Sequence, residues 1–288
     1  MSINVNILQK FRYTLELVKF SHSLFALPFA LASFLVASRG HFAWTLLLWV
    51  VLCVVLARTA AMAFNRLADA RFDALNPRTQ NRHIPAGLLS KPYVIALTLI
   101  SGAGFLAAAW QINRLAFWLS PLCLAILLLY SLAKRFTDFT QLILGLCLGM
   151  APIGAAIAAT GTLTASSLVL GGAVLLWVAG FDLLYALQDL EFDRAQGLRS
   201  LPVRLGLKGS LRLSSLCHAA FLALLVAYGF LEGLGAFYWV GLGLSGAFLL
   251  WEHATIREDL AKVNAAFFTA NGLLSVFFLA FTAADLYF

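Results

Sequence analysis

The sequence predicts an all-α membrane protein with nine transmembrane helices and a cytoplasmic N-terminus. Three observations carry that prediction. First, the 288 residues are 62% apolar and only 11% charged, against about 25% charged in soluble domains. With a mean hydropathy of +0.90, disorder, a disulfide-stapled secreted scaffold and a water-soluble globule are all excluded. Second, the apolar residues form unbroken runs near the ~20 residues that a helix needs to cross a bilayer, without the period-two alternation of barrel strands. Third, the basic residues alternate between the gaps.

The nine runs lie at roughly 20–38, 43–64, 93–110, 115–132, 139–160, 167–188, 211–231, 236–251 and 265–286. Lys10, Arg12 and Lys19 precede the first as they would in a signal peptide, but eight further runs follow, so it is read as a membrane helix. Of the 20 Lys and Arg residues, 17 fall in the N-terminus and in the gaps after the second, fourth, sixth and eighth runs. Only Arg39 and Arg114 fall in the other gaps, and Arg58 lies inside the second run. The positive-inside rule places the N-terminus in the cytoplasm, and nine crossings leave the C-terminus outside. The net charge of +7 therefore reflects topology, and no nucleic-acid partner is expected. Cys53, Cys123, Cys147 and Cys217 all sit in apolar runs with no CxxC, which reads as buried thiols rather than disulfides or a zinc site.

Two long polar segments, about 65–92 and 188–211, follow apolar helices on the cytoplasmic side. Each carries acids, then arginines, then a proline, and the pairs Asp69/Asp189 and Asp73/Asp193 are both 120 residues apart, a weak internal repeat. In the first, Asn65, Asp69 and Asp73 recur at i, i+4 and i+8, one helix face over about 12 Å at 1.5 Å per residue. In the second, Asp182, Asp189 and Asp193 recur at i, i+7 and i+11, again one face of a continuous helix. Stacked carboxylates repel and call for a cation. Mg²⁺ suits them: a hard ion held by one or two carboxylates together with substrate phosphates. Two clusters point to two ions on one diphosphate. Only His83 supplies a softer ligand nearby, which disfavours zinc and iron.

The alternative is a pair of solvated helix ends whose acids pair with Arg66, Arg71 and Arg194. Recurrence at matched positions, in a chain with only 13 acids, argues against it. So does Asp182, which lies toward the apolar body of the sixth run, where a carboxylate is costly without a partner. Arg78, Arg82, Lys134 and Arg199 are candidates for the diphosphate, arginine being suited to bidentate phosphate contacts; Arg204, Lys208 and Arg212 are read as topology. Arg58, a cation two turns inside the second run, would pair with Asp182 or hold an acceptor carboxylate.

The segments NRLADARFDALNPRTQNRHIPAG (65–87), YSLAKRFT (130–137), DLLYALQDLEFDRAQGLRSLPVRLG (182–206) and VKFSHSLFALPFAL (18–31) are similar to those of one family. Over nearly its whole length the chain resembles the intramembrane aromatic prenyltransferases of the UbiA type, in particular the 4-hydroxybenzoate polyprenyltransferase branch. The resemblance implies a single domain over 1–288, nine helices in a ring around a central cavity, and a cytoplasmic cap with two Asp-rich motifs that bind Mg²⁺ and the prenyl diphosphate. It assigns Asn65, Asp69, Asp73, Asp189 and Asp193 to metal, with Asp182 and Tyr185 just above the second motif. One departure is Leu198, where many relatives carry a polar or basic residue, leaving Arg199 as the cation there. The implied substrates are a polyprenyl diphosphate and an aromatic acid, 4-hydroxybenzoate for ubiquinone or a naphthoate-type acid for menaquinone. The implied location is the bacterial cytoplasmic (inner) membrane, in contact with lipid, with the site near its cytoplasmic face.

The chemistry follows from charge. Cleavage of an allylic C–O bond leaves a diphosphate and a carbocation; metal and basic side chains stabilise the first, and an electron-rich ring carbon attacks the second. An Asp, with Asp182 the candidate, would take the ring proton, while Tyr185 would orient a phosphate or face the cation. A dry cavity protects the cation from water. Two other classes fit less well. A secondary transporter would use Asp182 and Arg58 as a coupling pair at an inverted repeat, but these halves read parallel. CDP-alcohol phosphotransferases also use Asp at i, i+4, yet their signature opens with an Asp-Gly pair absent here.

Overall fold

The computed structural model describes residues 6–19, 23–258 and 263–288. Among these residues every regular element is helical: α1 (Ile7–Leu17), α2 (Ser23–Ala37), α3 (Trp44–Leu75), α4 (Lys91–Ile112), α5 (Arg114–Leu129), α6 (Thr140–Thr160), α7 (Ala165–Tyr185), α8 (Leu190–Ala195), α9 (Leu201–Glu232), α10 (Ala236–Glu258) and α11 (Val263–Tyr287). Residues 20–22 at the start of the first expected span, and Lys262 of the cation count, lie outside the described residues. Each of the nine apolar runs coincides with a helix. Among the described residues seven helices are long and apolar enough to cross a bilayer, and the apolar stretch of α2, Phe25–Ala37, is shorter. Polar caps set many of the starts: Asn6, Ser90, Asn113, Thr164 and Ser200 each accept a hydrogen bond from a first-turn N–H.

Four local features differ from the sequence expectation. The N-terminal basic stretch is itself a capped helix, α1, rather than a flank of the first span. The second span does not stop at residue 64: α3 runs unbroken for 32 residues, so Asn65, Asp69 and Asp73 ride its last three turns. The sixth span does not carry Asp182, Asp189 and Asp193 on one face. A 3₁₀ turn, Ala186–Asp189, interrupts it before α8 resumes, and four residues at the tighter 3₁₀ pitch rotate α8 by about 80° relative to a continuous helix. Finally, the seventh span begins early, at Leu201, because Gly206 (φ 67°, ψ −174°) joins a short N-terminal turn to the long helix across a kink. Only glycine adopts that conformation without strain.

The chain forms two compact units. The first, residues 1–23 and 49–132, is centred on Leu17, Val18, Ala63, Leu89 and Val94, so α1 packs on α3 and α4. Thr14 and Tyr93 share a hydroxyl hydrogen bond of 2.8 Å, and the Lys10 ammonium stands 4.2 Å over the Tyr93 ring. The second unit, residues 24–48 and 133–288, packs around fully buried Trp177, in ring contact with Phe25, Phe29, Phe181 and Phe221. With no water in a bilayer core, polar groups there must pair with one another. Trp177 Nε1 donates to Asn271 Oδ1 (2.8 Å), Asn271 Nδ2 donates to Glu252 (2.6 Å), and His218 Nδ1 shares a hydrogen with His253 Nε2 (2.9 Å).

Candidate active site

In the first unit the acidic ladder and its basic loop fold onto each other. Asn65 Nδ2 donates to Asp69 Oδ2 at 3.0 Å. After α3, the Asn76 carboxamide oxygen accepts from the Arg78 N–H (2.9 Å), a turn that Pro77 pre-sets. Thr79 Oγ1 then donates to the Asp73 carbonyl (3.2 Å), and Arg82 returns to the Asp73 carboxylate at 2.7 Å. His83 meets Glu16 of α1 at 3.2 Å, so α1 braces the loop. Asp73 is only 5% exposed, which overturns the solvated-end alternative for this residue. One of its oxygens is held by Arg82, while Oδ2 is buried without a hydrogen-bond donor. A buried carboxylate oxygen lacking a donor fits a cation ligand.

Further cations crowd the same unit, Arg58 among them as read from sequence. Arg66, buried, donates to the Leu17 carbonyl (3.5 Å), and Arg58 Nη2 donates to the Lys19 carbonyl (3.2 Å), while Arg58 Nε is buried with no acceptor. The Lys19 ammonium is pushed down to about 8, first by burial and then by the positive charges of Arg66, Arg82, Arg78 and Arg58. Sequence alone does not mark Lys19 or Arg66 as site residues, because their positions read only as topology and helix end.

The sign of the Lys19 shift fixes two pH effects. Its folded-state value lies below the unfolded one, so the unfolded chain binds the extra proton between about pH 8 and 10.4, and stability rises with pH across that window. A bound polyanion favours the charged ammonium. For the prenyl diphosphate that the resemblance implies, KM is therefore expected to rise above pH 8, by up to about tenfold per unit, and Lys19→Met should flatten that limb. A steady-state KM-versus-pH series on both proteins checks it.

In the second unit the matching acid is held differently. Asp193 (3% exposed) accepts from Lys134 Nζ at 2.7 Å, and Lys134 also interacts electrostatically with Asp182 and Asp189. Lys134 thus feels the charge of all three acids, though only Asp193 bonds it and the three do not share a helix face. Arg199, expected among the cations for the diphosphate, is exposed; its N–H donates to the Lys134 carbonyl (2.8 Å) and its guanidinium to the Phe136 carbonyl (3.1 Å). It pins the 130–137 segment beside the motif, and Lys134 takes the acid. Gln141, also unmarked by any sequence motif, accepts from the Leu201 N–H at 3.3 Å and ties the start of α9 to α6. Tyr185 closes α7, its carbonyl accepting from Gln188 Nε2 at 3.2 Å.

Among the described residues no three His, Cys, Asp or Glu side chains form a ready-made metal cage. The carboxylate and carboxamide oxygens of the two motifs are the donor type that Mg²⁺ takes together with phosphate oxygens and water.

The profile of the UbiA prenyltransferase family matches residues 26–282. The chain belongs to that family. A 4-hydroxybenzoate octaprenyltransferase of Nitrosospira multiformis is 33% identical over 238 residues, covering 82% of this chain and 81% of the relative. Another of that name, from Nitrosococcus oceani, is 31% identical over 84% of this chain and 85% of its own length. The apo structure of a UbiA homolog from Aeropyrum pernix K1 superposes with a TM-score of 0.84 at 37% identity, covering 92% of this chain and 98% of that one. A UbiA homolog from Archaeoglobus fulgidus, solved with GPP and Mg²⁺, shares the fold at a TM-score of 0.74 and 22% identity, covering 95% and 99%. Family membership and the run of apolar helices make this UbiA-type chain an integral membrane protein.

Proposed function

We propose that the protein transfers a polyprenyl group from its diphosphate to the ring of 4-hydroxybenzoate, a step of ubiquinone synthesis, at the cytoplasmic face of a bacterial inner membrane. The support is the run of relatives named 4-hydroxybenzoate octaprenyltransferase, which align over most of both chains, together with the two carboxylate motifs. The single observation that carries the chemistry is the buried Asp73 carboxylate, one oxygen on Arg82 and the other without a donor. In this reading nine helices cross the membrane as a ring around a dry cavity, the N-terminus is cytoplasmic, and residues 1–288 act as one domain.

Asn65, Asp69 and Asp73 hold one Mg²⁺, and Asp189 and Asp193 a second, both serving one diphosphate. When bound, the ions neutralise charge on the leaving diphosphate. Arg78, Arg82, Lys134 and Arg199, joined by Lys19 and Arg66, bind and orient the phosphates. Asp182 accepts the ring proton, and Tyr185, one turn on, orients the reacting end.

Arg58 holds the acceptor carboxylate. Its buried Nε without an acceptor supports that role, because an unsatisfied buried guanidinium N–H costs about 1–3 kcal/mol until an anion meets it. Arg58→Ala is expected to raise the KM for 4-hydroxybenzoate at least about tenfold, the worth of one charge-assisted hydrogen bond, with a smaller change for prenyl diphosphate. Parallel titrations of both substrates check this; equal shifts would remove the assignment.

The function is tested by incubating membranes with labelled polyprenyl diphosphate and a panel of aromatic acids. Label should pass to 4-hydroxybenzoate in preference to naphthoate-type acids. Preference for a naphthoate acid would move the chain to menaquinone synthesis.

A further inference from the structure

The second unit contains a cavity of about 210 Å³, of mixed polar and apolar lining, at the opposite end of α7 from Asp182, Asp189 and Asp193. At 1.5 Å per residue, the helix separates the two by about 30 Å. Four helix ends meet there: Ala37 of α2, Thr160 of α6, the capping Thr164 of α7, and Glu232 of α9. Two charges of opposite sign line it. Arg39 Nη2 lies 3.0 Å from Glu232 Oε2, and Arg39 Nη1 donates to the Glu232 carbonyl at 3.0 Å. The Arg39 side chain is 61% exposed and that of Glu232 only 14%. Arg39 is held at φ 53°, a conformation that a non-glycine residue adopts at a cost. Tyr228, one turn before Glu232 on the same face of α9, is buried (2% exposed) and lines the cavity, yet its hydroxyl has no hydrogen-bond partner among the described residues.

We propose that this cavity binds the headgroup of a phosphoethanolamine phospholipid, its phosphate on Arg39 and its primary ammonium between Glu232 and the Tyr228 hydroxyl. Nothing in the reaction uses these residues. Adjacent opposite charges match a zwitterion. A half-buried carboxylate beside a hydroxyl selects N–H donors on a cation, which a choline headgroup lacks and a glycerol headgroup does not carry. The ends of membrane helices lie at headgroup depth. Leu163 and Leu168, each next in sequence to a lining residue, and Phe230, two residues before Glu232, are 51%, 50% and 74% exposed and leave apolar surface at these helix ends for acyl chains.

The test uses the purified full chain, delipidated in detergent, with phosphatidylethanolamine, phosphatidylcholine, phosphatidylglycerol or free phosphoethanolamine added. Melting temperature and lipid retained in native mass spectrometry are read. Phosphatidylethanolamine should raise the midpoint saturably and be retained at least threefold over the other two lipids. Glu232→Gln and the milder Tyr228→Phe should each erase that preference, with prenyl transfer in lipid-free detergent unchanged. Equal response to the three lipids, or a preference that survives in both variants, overturns the proposal. A shift with free phosphoethanolamine equal to that of the lipid would also overturn it, by showing a soluble ligand.

Discussion

Asp73→Asn is expected to lower kcat/KM about 10²–10³-fold, the usual cost of removing one electrostatic contact to charge that develops in a transition state. The carboxylate does two jobs that an amide cannot do together. Its Oδ1 neutralises Arg82 at 2.7 Å, and its buried Oδ2 is the oxygen without a donor. The amide keeps the shape but offers the ion a neutral ligand, so part of the lost rate should return as Mg²⁺ is raised. Transfer assays across a Mg²⁺ series, normalised to protein in the membrane, give the answer. Activity within twofold of wild type at every concentration would remove Asp73 from the metal site.

The second large effect concerns the fold. A Cβ added at Gly180 would be built into the His218 ring. That ring cannot easily turn away, because Nδ1 is engaged by His253 at 2.9 Å and Nε2 faces the Trp177 carbonyl at 3.2 Å. Ser214 Oγ also donates to the Gly180 carbonyl at 2.7 Å, drawing α7 and α9 close at this level. Gly180→Ala is therefore expected to destabilise the protein by about 1–3 kcal/mol, the range for overpacking a filled interior. Removing the ring in Gly180→Ala/His218→Ala should restore part of the loss. Thermal melts of both variants in detergent measure it; a single variant melting with wild type would show that α7 and α9 can separate without cost.

How far the sequence can be read depends on the kind of information each feature carries. Apolar runs register directly as hydropathy, so all nine are legible, and the i, i+4, i+8 ladder of Asn65, Asp69 and Asp73 survives because α3 continues without a break. The second ladder is misread as one face because a 3₁₀ turn between Tyr185 and Leu190 has no hydropathy signature and changes the rotation per residue. Ion-pair partners are the least legible. Arg82 reaches Asp73 nine residues away, within reach of local reasoning, but Lys134 reaches Asp193 across 59 residues. Arg199 follows the second acidic motif in sequence, yet the cation that pairs with Asp193 is Lys134. Glu252 and His253 fall just beyond the expected end of their span, and the structure extends α10 past them to Glu258, burying a carboxylate that no motif marks.

The central claim is that each carboxylate motif holds an ion for the same diphosphate. It is tested most directly by counting Mn²⁺ bound per chain, by electron paramagnetic resonance, in the presence of an unreactive prenyl thiodiphosphate. The account predicts two ions in the wild-type chain, one in Asp69→Ala/Asp73→Ala and one in Asp189→Ala/Asp193→Ala. Two ions retained in either double variant, or none bound by the wild-type chain, would contradict it.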